Sequence, residues 1–465
     1  MDLSRRHLLE TGAAGVVGVG AGFAAGYVAG PGVRGATPEA AGEGETGAEA
    51  GAPRPAGDTG EIGARTEPFH GRHQAGVQTP PQAHARFVAF GLRDGTRAAD
   101  VVRLLRLLSD DAAALTQGRG PLADSEPELA ADPSRLTVTF GFGRGLVRRA
   151  GAAAVPEWLG PLPEFSIDRL DPVRSSGDLL LQVCGDDPFV MSHAVRMLVK
   201  DARAYAEVRW SRQAFRRAHG AQPAGTTMRN LFGQVDGTAN PSPGSEDFAR
   251  LVWGETLGRA ESVSGPRGEP PLDLAAGHPD WMSGGTTLAL RDVAMDLETW
   301  DEADRPAREF FVGRRLRDGA PLTGEDEFDI PDLEAKDALG LTVISPASHV
   351  ARARNEGDPA EQIYRRVYSY ESVLPDDEAR AAGQDPTAGG APGVTAVGGR
   401  APVGRAGLMF ASFQADLERQ FLPIQRRLDA MDLLNQWTVP IGSTVWAIPP
   451  GAAEGEYVGA TLFEG

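Results

Sequence analysis

The sequence predicts an α+β protein built from a duplicated module. Two observations carry this. The segment Gly177-Asp178-Leu179-Leu180-Leu181-Gln182-Val183 leads into an amphipathic helix, and Gly407-Leu408-Met409-Phe410-Ala411-Ser412-Phe413 does the same. Strand-type and helix-type segments accompany each of them in a similar order, so the pattern of strands and helices occurs twice.

Taken along the chain, residues 85–92 are an apolar run of strand length. Residues 98–115 place Val101, Leu104, Leu105 and Leu108 at helical spacing. Residues 136–142 alternate like a strand, and 179–183 form another, followed by a helix over 188–204. In the second half, 286–295 is strand-like and 307–315 a short helix. Leu341-Thr342-Val343-Ile344 is an apolar strand, and a helix runs from Asp416 to about Leu434. Two stretches are rich in glycine and alanine: residues 30–66, expected to be a disordered linker, and 376–404, expected to be a surface insertion. These divisions give a signal segment 1–36, a linker 37–67, an N-terminal module 68–228 and a C-terminal module 229–465.

The chain has 465 residues, is 41% hydrophobic and carries a formal net charge of −18. So acidic a surface repels phosphate backbones, which argues against a nucleic-acid partner. Lysine occurs only at Lys200 and Lys336, a compositional bias that leaves the basic work to arginine. Cys184 is the single cysteine, so there is no intrachain disulfide and too few thiolates for a zinc or iron–sulfur cluster. It stands in an apolar run and reads as a small core residue. At the N-terminus, Ser4-Arg5-Arg6-His7-Leu8-Leu9 precedes a weakly hydrophobic stretch from Gly12 to Ala29. Paired arginines ahead of such a stretch resemble a twin-arginine export signal, although Leu8 stands where phenylalanine is common. A membrane anchor is the alternative.

Three short segments carry the chemistry. His349 follows Ser348, and a neutral imidazole is a good axial ligand for haem iron; the alternative is an ordinary core or surface histidine. The other histidines (His7, His70, His73, His84, His193, His219 and His278) show no i, i+4 pair of a helical metal site. Asp236 stands between Val235 and Gly237, where Asp-Gly is also a common turn dipeptide. Glycines on both sides of it would let the backbone approach a flat macrocycle, and Thr238 and Asn240 offer polar groups nearby. Arg365 and Arg366 lie in an alternating segment, so only one of them can face a given site.

Taken together, Arg229-Asn230-Leu231-Phe232-Gly233-Gln234-Val235-Asp236-Gly237-Thr238-Ala239-Asn240-Pro241, His349 and Tyr364-Arg365-Arg366-Val367-Tyr368-Ser369-Tyr370 resemble the dye-decolourising peroxidases. His73-Gln74-Ala75-Gly76-Val77, the 137–143 strand, Met295-Asp296-Leu297-Glu298-Thr299-Trp300 and Gly319-Ala320-Pro321-Leu322 extend the likeness over 68–448. The nearest subgroup in character is the twin-arginine-exported deferrochelatase/peroxidase type. The resemblance implies duplicated ferredoxin-like modules with antiparallel sheets packed together and haem b in the C-terminal one. It implies a peroxidase that reduces hydrogen peroxide and oxidises bulky dyes, phenols or other organic donors through a ferryl intermediate. A haem carrier or deferrochelatase without turnover is the alternative.

On the same ground His349 would be the iron ligand, Asp236 the acid–base catalyst and Arg365 the group that holds peroxide. Gly237, Thr238 and Ala239 would line the porphyrin, with Arg354, Asn355 and Arg365 also in contact; the segment after His349 departs from the family pattern at 350–355. Asp416 would be the carboxylate partner of His349 or else a helix cap. Trp253, Tyr368 and Tyr370 would be surface-directed redox relays or else core aromatics. The expected partners are hydrogen peroxide, an organic electron donor and the twin-arginine export machinery, with self-association into a homo-oligomer also open; the expected location is extracellular or at the cell envelope.

Overall fold

The structure, a computed structural model, describes residues 60–255, 273–354, 357–372 and 405–464. The N-terminal signal, most of the expected linker and the 376–404 insertion lie outside the described residues. Folded structure begins ahead of residue 68, with a short helix α1 (Gly60–Gly63). The backbones of Gly63 and Arg65 accept hydrogen bonds from Ser134 and Arg135. The end of the expected linker is thus held by partners that its composition does not reveal. No helix of the described residues is long and apolar enough to cross a membrane.

The N-terminal half contains β1 (His84–Leu92), α2 (Ala98–Thr116), β2 (Thr137–Phe142), α3 (Arg144–Ala150), β3 (Leu179–Gly185), α4 (Pro188–Ala202) and β4 (Ala206–Phe215). A small hairpin of β5 (Met228–Arg229) and β6 (Val235–Asp236) and helix α5 (Glu246–Trp253) follow. The C-terminal half contains β7 (Thr286–Met295), α6 (Leu297–Glu302), α7 (Arg305–Val312), α8 (His349–Ala353), β8 (Tyr364–Ser372), β9 (Arg405–Gln414), a π-helical turn (Leu417–Phe421), α9 (Leu422–Met431), β10 (Thr438–Ile448) and α10 (Ala460–Phe463).

The duplication is visible in the strand order. One sheet runs β4-β1-β3-β2 and the other β10-β7-β9-β8, so each half places its fourth, first, third and second strands in that order. All the pairings are antiparallel, as the ferredoxin-like expectation requires. The two sheets join into a closed eight-stranded barrel through two thin seams, Phe142 beside Ala447 and Phe215 beside Ser369. Closure leaves unpaired edge only in the short stretches beside these two seams. It also explains why β1 and β3 are apolar almost throughout. One face of these strands fills the barrel with Phe87, Leu180 and Cys184, which meet Leu288, Phe413 and Trp446 of the other sheet, and the other face packs beneath α2 and α4. Cys184 is buried there, as its apolar surroundings predict.

Three expectations need correction. Residues 341–344 are not a strand: only an isolated pair, Lys336 with Thr342, forms there, and Leu341 is 64% exposed. Gly340, at φ +81°, turns the chain back before a sheet edge is reached, and only Ile344 finds the core. The expected 307–315 helix is shifted to Arg305–Val312, because Pro306 starts it and Gly313 (φ +84°) ends it, leaving Arg314 outside. The 416–434 helix is three pieces: the π-turn, α9 and a 3₁₀ turn Leu433–Gln436. Pro423 has no N–H to continue the ladder into α9. Asp432 leaves helical geometry at φ −74°, ψ 124°.

Between α2 and α4 the acid Asp111 meets Asp201. Burial, then a hydrogen bond and repulsion from Asp201, with further repulsion from Asp110 and Asp124, push the Asp111 pKa up to about 8. The folded state therefore keeps a proton that the unfolded chain has lost, so stability should fall as pH rises from about 4 to about 8. Asp111→Asn is expected to flatten that decline in thermal-unfolding midpoints. A variant displaced equally from the parent at pH 5 and pH 9 would refute this.

Candidate active site

The Asp236 loop is shaped by its own side chains. Asn230 Oδ1 accepts hydrogen bonds from the backbone N–H groups of Phe232 and Gln234, at 3.1 and 3.2 Å, and closes the β5–β6 hairpin. Arg229 donates to the carbonyl of Gly233 and to those of Leu316 and Arg317. Gly237 sits at φ +122°, and a Cβ there would meet only ordinary contacts. Its glycine is needed for backbone conformation, not for space. Asp-Gly here is a turn that also aims a carboxylate, so the two readings of Asp236 coincide.

Alternation along β8 separates the paired arginines. Tyr364, Tyr368 and Tyr370 pack in the barrel core. Arg366 is fully buried with them and donates to the Thr79 carbonyl and to Gln82 Oε1. Arg365 points the other way and donates from Nη1 to Asp236 Oδ1 at 3.1 Å.

His349 opens α8, whose first turn is capped by the buried Ser348 hydroxyl accepting from the Ala351 N–H. Its Nδ1 lies 2.6 Å from Asp432 Oδ2. Burial disfavours the charged imidazole, but the Asp432 carboxylate, by charge and by hydrogen bond, outweighs it and raises the His349 pKa. A carboxylate only accepts, so Nδ1 carries the proton and Nε2 is left to ligate. Asp432 Oδ1 also accepts from the Leu434 N–H at 2.9 Å. Asp416 is therefore not the partner: its carboxylate accepts from the Glu418 and Arg419 N–H groups and caps the π-turn.

These groups line one cavity of about 380 Å³ in the C-terminal half. Asp236, Gly237, Thr238, Ala239, His349, Arg354 and Arg365 all contribute to its wall, whereas Asn355 lies outside the described residues. Val350, Ala353, Ile363, Phe410, Ile424 and Leu428 supply an apolar surface. Thr238 donates to Glu327 at 2.9 Å and Arg354 to the Pro331 carbonyl at 2.7 Å, which fixes the 327–331 segment along the cavity. Two site residues were not foreseen. Asp432 is hidden inside what looked like one continuous helix. Arg314 follows Gly313 at the end of α7 and lines the cavity while donating to the Gly319 and Glu327 carbonyls. Burial lowers its pKa; Glu327 opposes this, and Arg365 and Arg354 add to it. A helix-ending glycine followed by arginine was the only sequence signal for it.

The models of the Dyp-type peroxidase N-terminal and C-terminal domains match residues 74–216 and 227–453. The chain belongs to the DyP-type peroxidases. Among curated relatives, the dye-decolorizing peroxidase of Thermobifida fusca is 34% identical over 473 residues, covering 99% of this chain and 97% of that protein. A deferrochelatase of Escherichia coli is 32% identical over 413 residues, covering 85% and 87%. A crystal structure of a DyP-type peroxidase from Cellulomonas bogoriensis superposes with a TM-score of 0.74 at 46% identity, covering 87% of this chain and 99% of that one. This DyP-type peroxidase is thus an oxidoreductase with haem as its cofactor. The cavity fits that group: an apolar wall accepts a macrocycle, and a histidine oriented by a buried carboxylate offers Nε2 to iron.

Proposed function

We propose that this protein reduces hydrogen peroxide to water at the cavity lined by His349, Asp236 and Arg365, and oxidises bulky organic donors. The observation that carries the reading is the 3.1 Å contact between Asp236 and Arg365 at the cavity wall. A carrier would need the histidine but no such pair. His349 Nε2 would hold haem, with Gly237, Thr238 and Ala239 of the cavity wall lining it, and the haem would supply the redox chemistry. Asp236 takes the proton from one peroxide oxygen and returns it to the departing one, so that it leaves as water. The Arg365 guanidinium holds the peroxide and stabilises the charge that develops as the O–O bond breaks. Overall, one hydrogen peroxide, two electrons from the donor and two protons give two waters. The N-terminal arginine pair supports export by the twin-arginine route, which carries folded proteins.

The deciding experiment is stopped-flow mixing of haem-loaded protein with one equivalent of peroxide. Rapid loss of the ferric Soret band supports the peroxidase. A Soret band indifferent to peroxide would favour the haem-handling role suggested by the deferrochelatase relatives.

Bulky donors need a route to the buried site, and Trp253 is the favoured relay. Tyr364, next to Arg365, lies 4.9 Å from the Phe248 ring, Phe248 6.2 Å from Trp253, and Trp253 stacks on His73 at 4.0 Å. The carboxylate of Glu255 stands 3.3 Å from His73 Nε2, but burial outweighs it and lowers the His73 pKa, so the ring ends the path as a neutral imidazole. Tyr368 is the poorer relay. The Arg216 and Arg366 guanidiniums lie 5.5 and 5.9 Å from its ring, and burial raises the pKa of its phenol. Trp253→Phe is expected to slow oxidation of an anthraquinone dye while sparing a small phenol. Equal rates of dye oxidation in parent and variant would rule the relay out.

A further inference from the structure

Asn240 has the hydrogen-bonding pattern of a missing strand. On one side β8 pairs with β9 along its whole length, but on the other it meets β4 only at Ser369. At Arg365 the outward-facing backbone therefore has no strand to bind. Asn240 fills that place: its Nδ2 donates to the Arg365 carbonyl at 2.7 Å, and its Oδ1 accepts from the Arg365 N–H at 3.1 Å. The same oxygen lies 3.4 Å from Arg365 Nε, so one carboxamide touches both the main chain and the guanidinium stem. Asn240 is itself fixed, because its N–H donates to the Gly237 carbonyl at 2.9 Å and the buried Pro241 follows it. That turn begins next to Asp236.

We propose that Asn240 is the positioning residue that sets the Arg365 guanidinium against Asp236. The inference rests on the role given to Arg365 above. Without the clamp, a long arginine side chain at an unpaired strand edge would sample several rotamers, and the 3.1 Å contact would hold only part of the time. Aspartate has the same size but no donor. It would repel the Arg365 carbonyl and attract the guanidinium away from Asp236, so the shape of the side chain alone does not suffice. Glutamine, one methylene longer, would push the turn off the strand.

The test is a double-mutant cycle on the holoenzyme with Asn240→Ala and Arg365→Ala, reading the second-order rate constant with peroxide, the fluoride affinity of the ferric protein and the thermal midpoint. Asn240→Ala is expected to lower the rate constant roughly 10–100-fold, as loss of an orienting partner does. It should weaken fluoride in parallel, since a distal donor stabilises that anion, and have no further effect on either in the Arg365→Ala background. Asn240→Asp carries the cycle if the alanine variant does not retain haem. Additive effects of the two substitutions, or an Asn240 variant with parental rate and fluoride affinity, would overturn the proposal while leaving the role of Arg365 standing. An Arg365→Ala protein that reacts with peroxide like the parent would overturn both.

Discussion

Asp236→Ala is expected to slow the reaction with hydrogen peroxide by about 10²–10⁴-fold, the usual contribution of positioned proton transfer, with the ferric Soret band unchanged. The proposed role needs the carboxylate in the cavity wall, and there it faces the cavity with one oxygen engaged by Arg365. Asp236→Asn separates charge from shape. The amide can still face the guanidinium but cannot take a proton, so it should lose nearly as much as alanine. An asparagine variant with close to the parental rate constant would show that Asp236 only holds Arg365 in place, and the assignment of proton transfer would fall.

The second large effect is expected at Asp432. Asp432→Asn keeps an acceptor for His349 Nδ1, and asparagine caps the following turn about as well as aspartate, so the Leu434 contact survives. What disappears is the negative charge, which makes the imidazole a stronger donor and favours ferric iron. The variant should show a more positive iron reduction potential and haem retention weaker by about 10–100-fold, measured by spectroelectrochemistry and by transfer to apomyoglobin. Asp416→Asn is the control: this carboxylate caps the π-turn, so the potential should stay where it is. A shift in the control and none at Asp432 would reverse the assignment.

Where a feature depends on local pattern, the sequence was readable. Alternation along 364–370 was enough to say that one of two adjacent arginines faces the cavity, and Arg366 does turn into the barrel. The Asp-Gly pair marked a turn, and Gly237 does adopt a conformation that other residues resist. The misses are tertiary. Asp432 lies 83 residues from His349 in the chain, and its helical-looking neighbourhood hides a break at the one point where the carboxylate must leave the helix. The apolar run 341–344 has strand composition, but whether an edge is within reach depends on the turn at Gly340. Pairing between the sheets, and with it the closed barrel, has no local signature.

Arg366 gives the thin seams a meaning for protein engineering. It belongs to the strand that carries Arg365, yet its guanidinium is anchored to Thr79 and Gln82 of the other half. The C-terminal copy, although it contains the whole cavity, borrows the rigidity of its key strand from a sister copy that contributes no residue to the cavity wall. Severing the chain between residues 216 and 227 should therefore give two fragments of which neither is competent alone, and whose co-expression restores function only when they reassemble.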